Sequence, residues 1–148
     1  MKAPRFDYAR PRDVAEALKL LSVEGAKAAA GTQSLGPMLN LRIAHPTLLV
    51  DLRGIDELRS VSQHDHAVTI GACVTHADIE DGRVPDPTRG FMASVAANIS
   101  YRAVRNRGTI GGSLAHADPA ADWPCARSRT VALIEPSAAR LTSAWRSS

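Results

Sequence analysis

The sequence has few aromatic residues and no long apolar run. Aromatic residues make up 4% of its 148 residues, so it offers no platform of rings on which nucleic-acid bases could stack. No apolar run approaches the roughly 20 residues that span a bilayer. The first residues also lack the apolar segment of a secretory signal. We therefore expect no membrane span and, by default, a cytoplasmic protein.

Cysteine and histidine patterns typical of metal or redox sites are missing too. Cys73 and Cys125 are far apart and form no CxxC motif, so both are predicted to be free thiols. His64 and His66 flank Asp65, which fits either a metal grip or, more simply, a polar turn between two strands. The turn is the better interpretation, and we predict no metal site. No residue is predicted to act as a catalytic nucleophile.

The net positive charge comes from one end of the chain. The net charge is +3, from 18 basic and 15 acidic residues. From Ala126 onward the chain carries four arginines and one glutamate, so the rest holds 14 residues of each sign and is neutral. A protein with such a body lacks the basic surface of a nucleic-acid-binding protein, and we predict no nucleic-acid partner.

The order of helical and strand patterns predicts an α+β fold. Residues 13–21 form an amphipathic helix capped by Asp13. Further helices are predicted from Pro37, from Thr75 or Asp78, and over 88–99, and strands over 26–30, 47–51, 58–62 and 67–71. The boundaries separate a small α/β part (1–52), a second part (53–125) and an atypical tail (126–148). The tail shows one apolar run and is expected to join no core.

Two glycine-bearing segments are candidates for binding phosphate. One reads AGTQSLGP from Ala30 and the other TIGGS from Thr109. Glycine lets a ligand approach the backbone closely, and consecutive N–H groups can converge on an anion. Neither GxGxxG after the first strand nor GxxxxGK[ST] is present, so no Rossmann site or P-loop is supported. Taken alone, these segments fit a diphosphate site or ordinary structural turns.

Asp122 follows the second glycine segment. A carboxylate repels phosphate, so its expected partner near such a site is a sugar hydroxyl, as in dinucleotide sites. Two donor segments and one acid together suggest a dinucleotide. The neighbouring Trp123 is predicted to lie in the core.

Two long strings narrow these alternatives. AGTQSLGPMLNLRIAHPTLLVDL and VRNRGTIGGSLAHADPAAD closely resemble the FAD-binding medium subunit of the molybdenum hydroxylases, the family of carbon monoxide dehydrogenase, xanthine dehydrogenase and aldehyde oxidase. The resemblance covers about residues 1 to 125. It implies a two-part FAD-binding α+β module of the vanillyl-alcohol oxidase-like (PCMH-type) superfamily, with the second part incomplete.

The resemblance also implies site residues. Residues 30–34 would form the first phosphate loop and 109–113 the second, with Asp122 at the ribityl or ribose region and the Ile99 backbone near the flavin. Arg105 and Asn106 would fix the shape of the second loop. The family commonly has a second glycine where this chain has Thr32. The implied FAD-binding residues are Ala30, Gly31, Thr32, Gln33, Ser34, Ile99, Thr109, Ile110, Gly111, Gly112, Ser113 and Asp122.

The function implied is electron relay in an oxidoreductase complex. In the family, a molybdopterin-binding large subunit oxidises the substrate, a 2Fe-2S small subunit carries the electrons, and the flavin passes them to an external acceptor. Family members are about twice as long as this chain, and the composition changes after DPAADWP, so we expect a truncated or frame-shifted medium subunit. The alternative is a non-catalytic remnant with little or no FAD binding.

Overall fold

A parallel three-stranded sheet forms the first part of the protein. The computed structural model describes residues 2–64, 67–118, 122–123, 132–135 and 140–144. Strands β1 (Asp7–Ala9), β2 (Ala26–Ala29) and β3 (Leu48–Asp51) are arranged in the order β1-β3-β2, with β3 parallel to both neighbours. The predicted strands at 26–30 and 47–51 are confirmed. Because all three strands run in the same direction, the segments that follow them lie at one edge of the sheet.

Two helices connect these strands. Helix α1 (Val14–Leu21) begins where Asp13 accepts a hydrogen bond from the Glu16 backbone N–H at 2.7 Å, as the predicted cap requires. Helix α2 (Leu35–Asn40) starts two residues before Pro37, with Ser34 as its N-cap residue. The predicted start at Pro37 is therefore wrong. Proline at an early helical position is still accommodated, because N–H groups in the first turn have no intrahelical partner.

Two short 3₁₀ turns, Leu52–Gly54 and Asp56–Arg59, lead from the first sheet to the second. The strand predicted over 58–62 is wrong in its first half, since β4 covers Val61–His64. Leu58 is buried in the second turn, and its carbonyl oxygen accepts a hydrogen bond from the Cys73 N–H at 2.7 Å. This contact holds the backbone in the turn.

The second sheet is antiparallel and has the order β4-β5-β7-β6. It contains β4, β5 (Ala67–Gly71), β6 (Ala132–Glu135) and β7 (Arg140–Ala144). The predicted strand at 67–71 is confirmed. The tail, expected to join no core, contributes two strands to this sheet, because the backbone of β7 pairs with β5 along its whole length and β6 pairs with β7. The hairpin turn predicted around Asp65 and His66 falls on residues outside those described.

Helices α3 (His76–Glu80), α4 (Phe91–Asn98), α5 (Arg102–Arg105) and α6 (Ile110–His116) follow β5 along the chain. Both predicted starting residues of α3 take part in one capping box. The Thr75 hydroxyl accepts from the Asp78 N–H at 3.1 Å, and the Asp78 carboxylate accepts from the Thr75 N–H at 3.2 Å. Helix α4 lies within the predicted range of 88–99.

One apolar cluster joins the two parts. Its buried members come from α1, β3 and the turns, together with the segment after β5: Ala17, Val50, Ile55, Leu58 and Cys73. Ala30 and Ala72 pack at its margin. Ala30 is the first residue of the first glycine segment, and Ala72 contacts Gly111 in the second, so the same cluster positions both.

Candidate functional site

The first glycine segment leaves β2 at the carboxyl edge of the parallel sheet. Gly31 is buried, and its carbonyl oxygen accepts a hydrogen bond from the Gln33 side-chain amide at 2.8 Å. Thr32 has a φ of 57°, in the left-handed region. In the part of the chain that the structure describes, the backbone N–H groups of Gly31, Thr32, Gln33 and Ser34 donate to no protein acceptor. They form a run of consecutive unpaired donors, as an anion site requires.

The second glycine segment differs from its prediction. It forms the first turn of α6, with Thr109 as N-cap residue. Its amides have acceptors within the protein: Ile110 N–H donates to Val74 at 3.0 Å, Gly111 N–H to Ala72 at 3.0 Å and Gly112 N–H to the Thr109 hydroxyl at 3.1 Å. These three N–H groups are therefore not free to converge on an anion. The cause for Ile110 and Gly111 is tertiary, since the segment after β5 supplies carbonyl acceptors that the local sequence does not reveal.

The first glycine segment touches the residues that lead directly into the second. A Cβ added to Gly31 would lie 2.0 Å from the Arg107 carbonyl oxygen and 2.8 Å from the Gly108 Cα, so the two backbones are in direct contact. On the other side of the second segment, a Cβ on Gly111 would lie 2.5 Å from the Ala72 side chain. The glycines thus bring the first loop, the start of α6 and the segment after β5 close together.

Arg105 ties the residues just before the second segment to their surroundings. Its guanidinium forms an ion pair with Glu80 at 2.8 Å and donates to the carbonyl oxygens of Ile99 at 3.2 Å and Ser100 at 2.8 Å. Asn106 accepts from Arg102 at 2.8 Å. These bonds fix the chain between α4 and the second segment, and they hold the Ile99 backbone in place.

His76 is a residue that the sequence reasoning did not single out. It is buried, its backbone N–H donates to the Gly108 carbonyl at 3.0 Å, and its Nδ1 accepts from the Trp123 indole N–H at 3.1 Å. Burial lowers the pKa of the His76 imidazole to about 4, an effect that the Asp122 carboxylate partly offsets. Trp123 is buried, as predicted, whereas Asp122 is exposed. A lone histidine beside a capping threonine carries no sequence motif that would have marked it.

Asp51 organises the carboxyl edge of the first sheet. It is almost completely buried and accepts from the Arg53 guanidinium at 3.0 and 2.8 Å and from the Tyr8 hydroxyl. The hydrogen bonds from Arg53 hold the pKa of the Asp51 carboxyl well below its usual range. Asp51 also pairs with Ala29 in the sheet, directly before the first glycine segment, so this network fixes the point from which that loop departs.

The described residues contain no group of three or more metal-ligating side chains, and no helix among them is long and apolar enough to cross a membrane. Cys73 is a free, buried thiol, as predicted, and burial raises its pKa to about 11. Cys125 and His66 fall outside the described residues.

Known proteins are similar to this chain in sequence and in fold. A family model described as "FAD binding domain in molybdopterin dehydrogenase" matches residues 4–135. The chain belongs to this family. The alpha subunit of the 6-hydroxypseudooxynicotine dehydrogenase complex of Paenarthrobacter nicotinovorans is 44% identical over 126 residues, which are 84% of this chain and 43% of that protein. The carbon monoxide dehydrogenase medium chain of Hydrogenophaga pseudoflava is 41% identical over 126 residues, 84% of this chain and 44% of that one.

Solved structures of the family have the same fold. Quinoline 2-oxidoreductase from Pseudomonas putida 86 superposes with a TM-score of 0.81 at 38% identity, covering 97% of this chain and 52% of that one. Carbon monoxide dehydrogenase from Hydrogenophaga pseudoflava gives 0.82 at 38% identity, covering 96% and 51%. The chain spans about half the length of the relatives it matches. The predicted family, its FAD-binding fold and FAD as the cofactor of the family are confirmed by these matches.

Proposed function

We propose that this chain is the FAD-binding, electron-transfer part of a molybdenum-containing hydroxylase, passing electrons from iron–sulfur clusters to an external acceptor. The observation that carries the proposal is the contact of Gly31 with Arg107 and Gly108. This contact brings a run of unpaired N–H donors against the start of α6, in a family whose members are FAD-binding domains.

The first segment is the principal phosphate-binding element of this proposal. The N–H groups of Gly31, Thr32, Gln33 and Ser34 have no acceptor among the described residues, which suits a diphosphate whose charge is spread over several oxygens. Ala30 precedes them and packs on the apolar cluster between the two parts. The packing of Ala30 therefore fixes the point in the backbone from which these N–H donors follow.

The second segment has a different role in the proposal. Because the amides of Ile110, Gly111 and Gly112 are already hydrogen-bonded, these residues contribute shape, and the missing side chain at Gly111 lets the start of α6 pack directly against Ala72. Thr109 caps the helix that presents them. The hydroxyl of Ser113, which is only partly buried, is the further donor of this segment.

Two residues complete the proposed cofactor site. The exposed Asp122 carboxylate accepts hydrogen bonds from hydroxyls of the ribityl or ribose region. The Ile99 backbone, held by Arg105, lies beside the flavin ring. When bound, FAD supplies redox chemistry that connects one-electron and two-electron partners, and the protein supplies position and electrostatics. The expected partner subunits are a molybdopterin-binding large subunit and a 2Fe-2S small subunit.

A titration of the purified chain with FAD, followed at the flavin absorbance band near 450 nm and by flavin fluorescence, tests the proposal. Competition with ADP and with riboflavin separates the diphosphate contacts from the ring contacts. Saturable one-to-one FAD binding that ADP inhibits and riboflavin does not would support a site built on the first segment. Binding that riboflavin alone inhibits would refute it.

The alternative is a scaffold that retains the fold and binds little or no FAD. A well-folded chain, with a cooperative thermal transition and dispersed NMR signals but no FAD binding, would favour this scaffold over the electron-transfer role.

A further inference from the structure

His76 packs against Gly108, the residue directly before the second glycine segment. A Cβ added to Gly108 would be 2.9 Å from the His76 Cδ2 and 3.1 Å from its Nε2, so the imidazole packs against glycine backbone. The His76 N–H also donates to the Gly108 carbonyl at 3.0 Å. Any movement of this ring would be transmitted to the residue that precedes the Thr109 cap.

The same ring holds Trp123. The indole N–H donates to the His76 Nδ1 at 3.1 Å, and the ring centroids are 5.9 Å apart. An indole nitrogen is only a donor, so Nδ1 is the unprotonated nitrogen, and a neutral His76 carries its proton on Nε2. Burial keeps the imidazole neutral at physiological pH, because its pKa is lowered to about 4. The His76 Nδ1 therefore remains a hydrogen-bond acceptor throughout the physiological pH range.

Asp122 and Trp123 are adjacent in sequence but differ in how far they are exposed to solvent. Trp123 is 5% exposed, while Asp122 is exposed. A buried anchor next to an exposed carboxylate restricts where that carboxylate can lie. His76 is itself 4% exposed and is enclosed by Gly108 and Trp123, which leaves it no direct access to a cofactor.

We propose that His76 is a positioning residue, which sets the Asp122 carboxylate relative to the second glycine segment through its bonds to Trp123 and Gly108. This inference rests on the proposed function, since Asp122 acts there on the sugar hydroxyls of FAD. Without the bond, the carboxylate loses its fixed distance from the start of α6. The bound nucleotide then loses the contact that Asp122 provides.

The test compares variants that remove or retain the acceptor. His76→Leu removes it, His76→Asn retains an oxygen close to the Nδ1 position, and Trp123→Phe removes the donor. We expect FAD affinity to fall about tenfold in His76→Leu and Trp123→Phe, the equivalent of one hydrogen bond, and to be largely retained in His76→Asn. If His76→Leu fails to fold, Trp123→Phe still tests whether FAD affinity depends on this hydrogen bond.

A double-mutant cycle with Asp122→Asn separates positioning from a merely structural role. If His76 acts through Asp122, His76→Leu causes no further loss of FAD affinity once the carboxylate is gone. Additive losses, or a lower melting temperature with unchanged FAD affinity, would overturn the inference.

The NMR signals of the Trp123 indole N–H and the Asp122 backbone N–H give a readout that needs no FAD. Both are expected to shift in His76→Leu and to stay near their original positions in His76→Asn. If the unsubstituted chain binds no FAD, the proposed function fails, whereas the positioning by His76 is still decided by these signals. An Asp122 signal that does not respond to His76→Leu contradicts it.

Discussion

Gly31 lies against Arg107 so closely that a single added Cβ would stand 2.0 Å from the Arg107 carbonyl oxygen. The atom in the way belongs to backbone, which cannot rotate aside as a long side chain can. The absence of a side chain at this position therefore sets the separation between the first loop and the start of α6. Since the proposed diphosphate site lies where these two meet, its geometry depends on this contact.

Gly31→Ala is expected to separate the two segments. We expect a loss of stability of about 1–3 kcal/mol, as for other overpacked sites, and at least a tenfold weaker FAD affinity. The matched control is Gly36→Ala in α2, where a Cβ would meet nothing within 4 Å and helix propensity favours alanine by up to about 1 kcal/mol. Thermal melts and FAD titrations of both variants provide the measurement. Equal effects would contradict the packing argument.

Gly111 and Gly112 are expected to respond differently to the same substitution. A Cβ at Gly111 would lie within 2.5 Å of the Ala72 side chain and 2.6 Å of its carbonyl oxygen, whereas at Gly112 its neighbour is the Thr109 hydroxyl at 2.8 Å. The hydroxyl can turn away, but the Ala72 backbone cannot. Gly111→Ala should therefore lower the melting temperature more than Gly112→Ala. If scanning calorimetry shows a lower melting temperature for Gly112→Ala than for Gly111→Ala, the segment after β5 must move readily to make room for the added Cβ.

Thr32 occupies the left-handed region with a φ of 57°, which is unfavourable for a β-branched residue by about 1–2 kcal/mol. Thr32→Gly and Thr32→Ala both remove the hydroxyl, but only glycine removes the strain. We expect the glycine variant to be about 1 kcal/mol more stable than the alanine variant in urea unfolding. It should also keep its FAD affinity, because the proposed donor is the backbone N–H. Greater stability of Thr32→Ala would contradict this account.

His76 makes the stability of the protein depend on pH. Its folded-state pKa of about 4 is below the ordinary value of 6.5, so below pH 6.5 the unfolded chain binds a proton that the folded chain does not. The associated stability is fully present above pH 6.5 and is lost as the pH falls toward 4. The loss amounts to about 3 kcal/mol at most. Urea unfolding at several pH values should show this loss, and His76→Asn should lack it. The same slope in both proteins would assign the effect to other groups.

Local signals explain what could be predicted of the fold. The Asp13 cap and the Thr75–Asp78 capping box act between residues three apart, so the sequence alone reveals α1 and α3. Helix α6 was missed because two glycines argue against a helix, while its hydrogen bonds to Val74 and Ala72 come from elsewhere in the chain. Tertiary contacts thus outweighed the weak helix propensity of glycine.

In the candidate site, too, local features could be predicted from the sequence and tertiary contacts could not. The two glycine segments were visible as sequence strings, but their contact through Gly31 and Arg107 depends on long-range packing. His76 was missed because its role depends on Gly108 and Trp123, which are distant in sequence. The sequence leaves open whether the second segment binds an anion or forms an ordinary turn, and only the carbonyl groups of Ala72 and Val74 show that the N–H groups of Gly111 and Ile110 are already hydrogen-bonded.

The position of β7 between β5 and β6 has a consequence for the newborn chain. On the ribosome, β5 emerges well before residues 140–144, and until they follow, one side of β5 has no strand to pair with. The antiparallel pairing of β5 with β7 joins segments far apart in sequence, a type of contact that forms slowly. The second sheet is therefore completed only after residues 140–144 have left the ribosome, and until then the unpaired side of β5 is open to pairing with other chains.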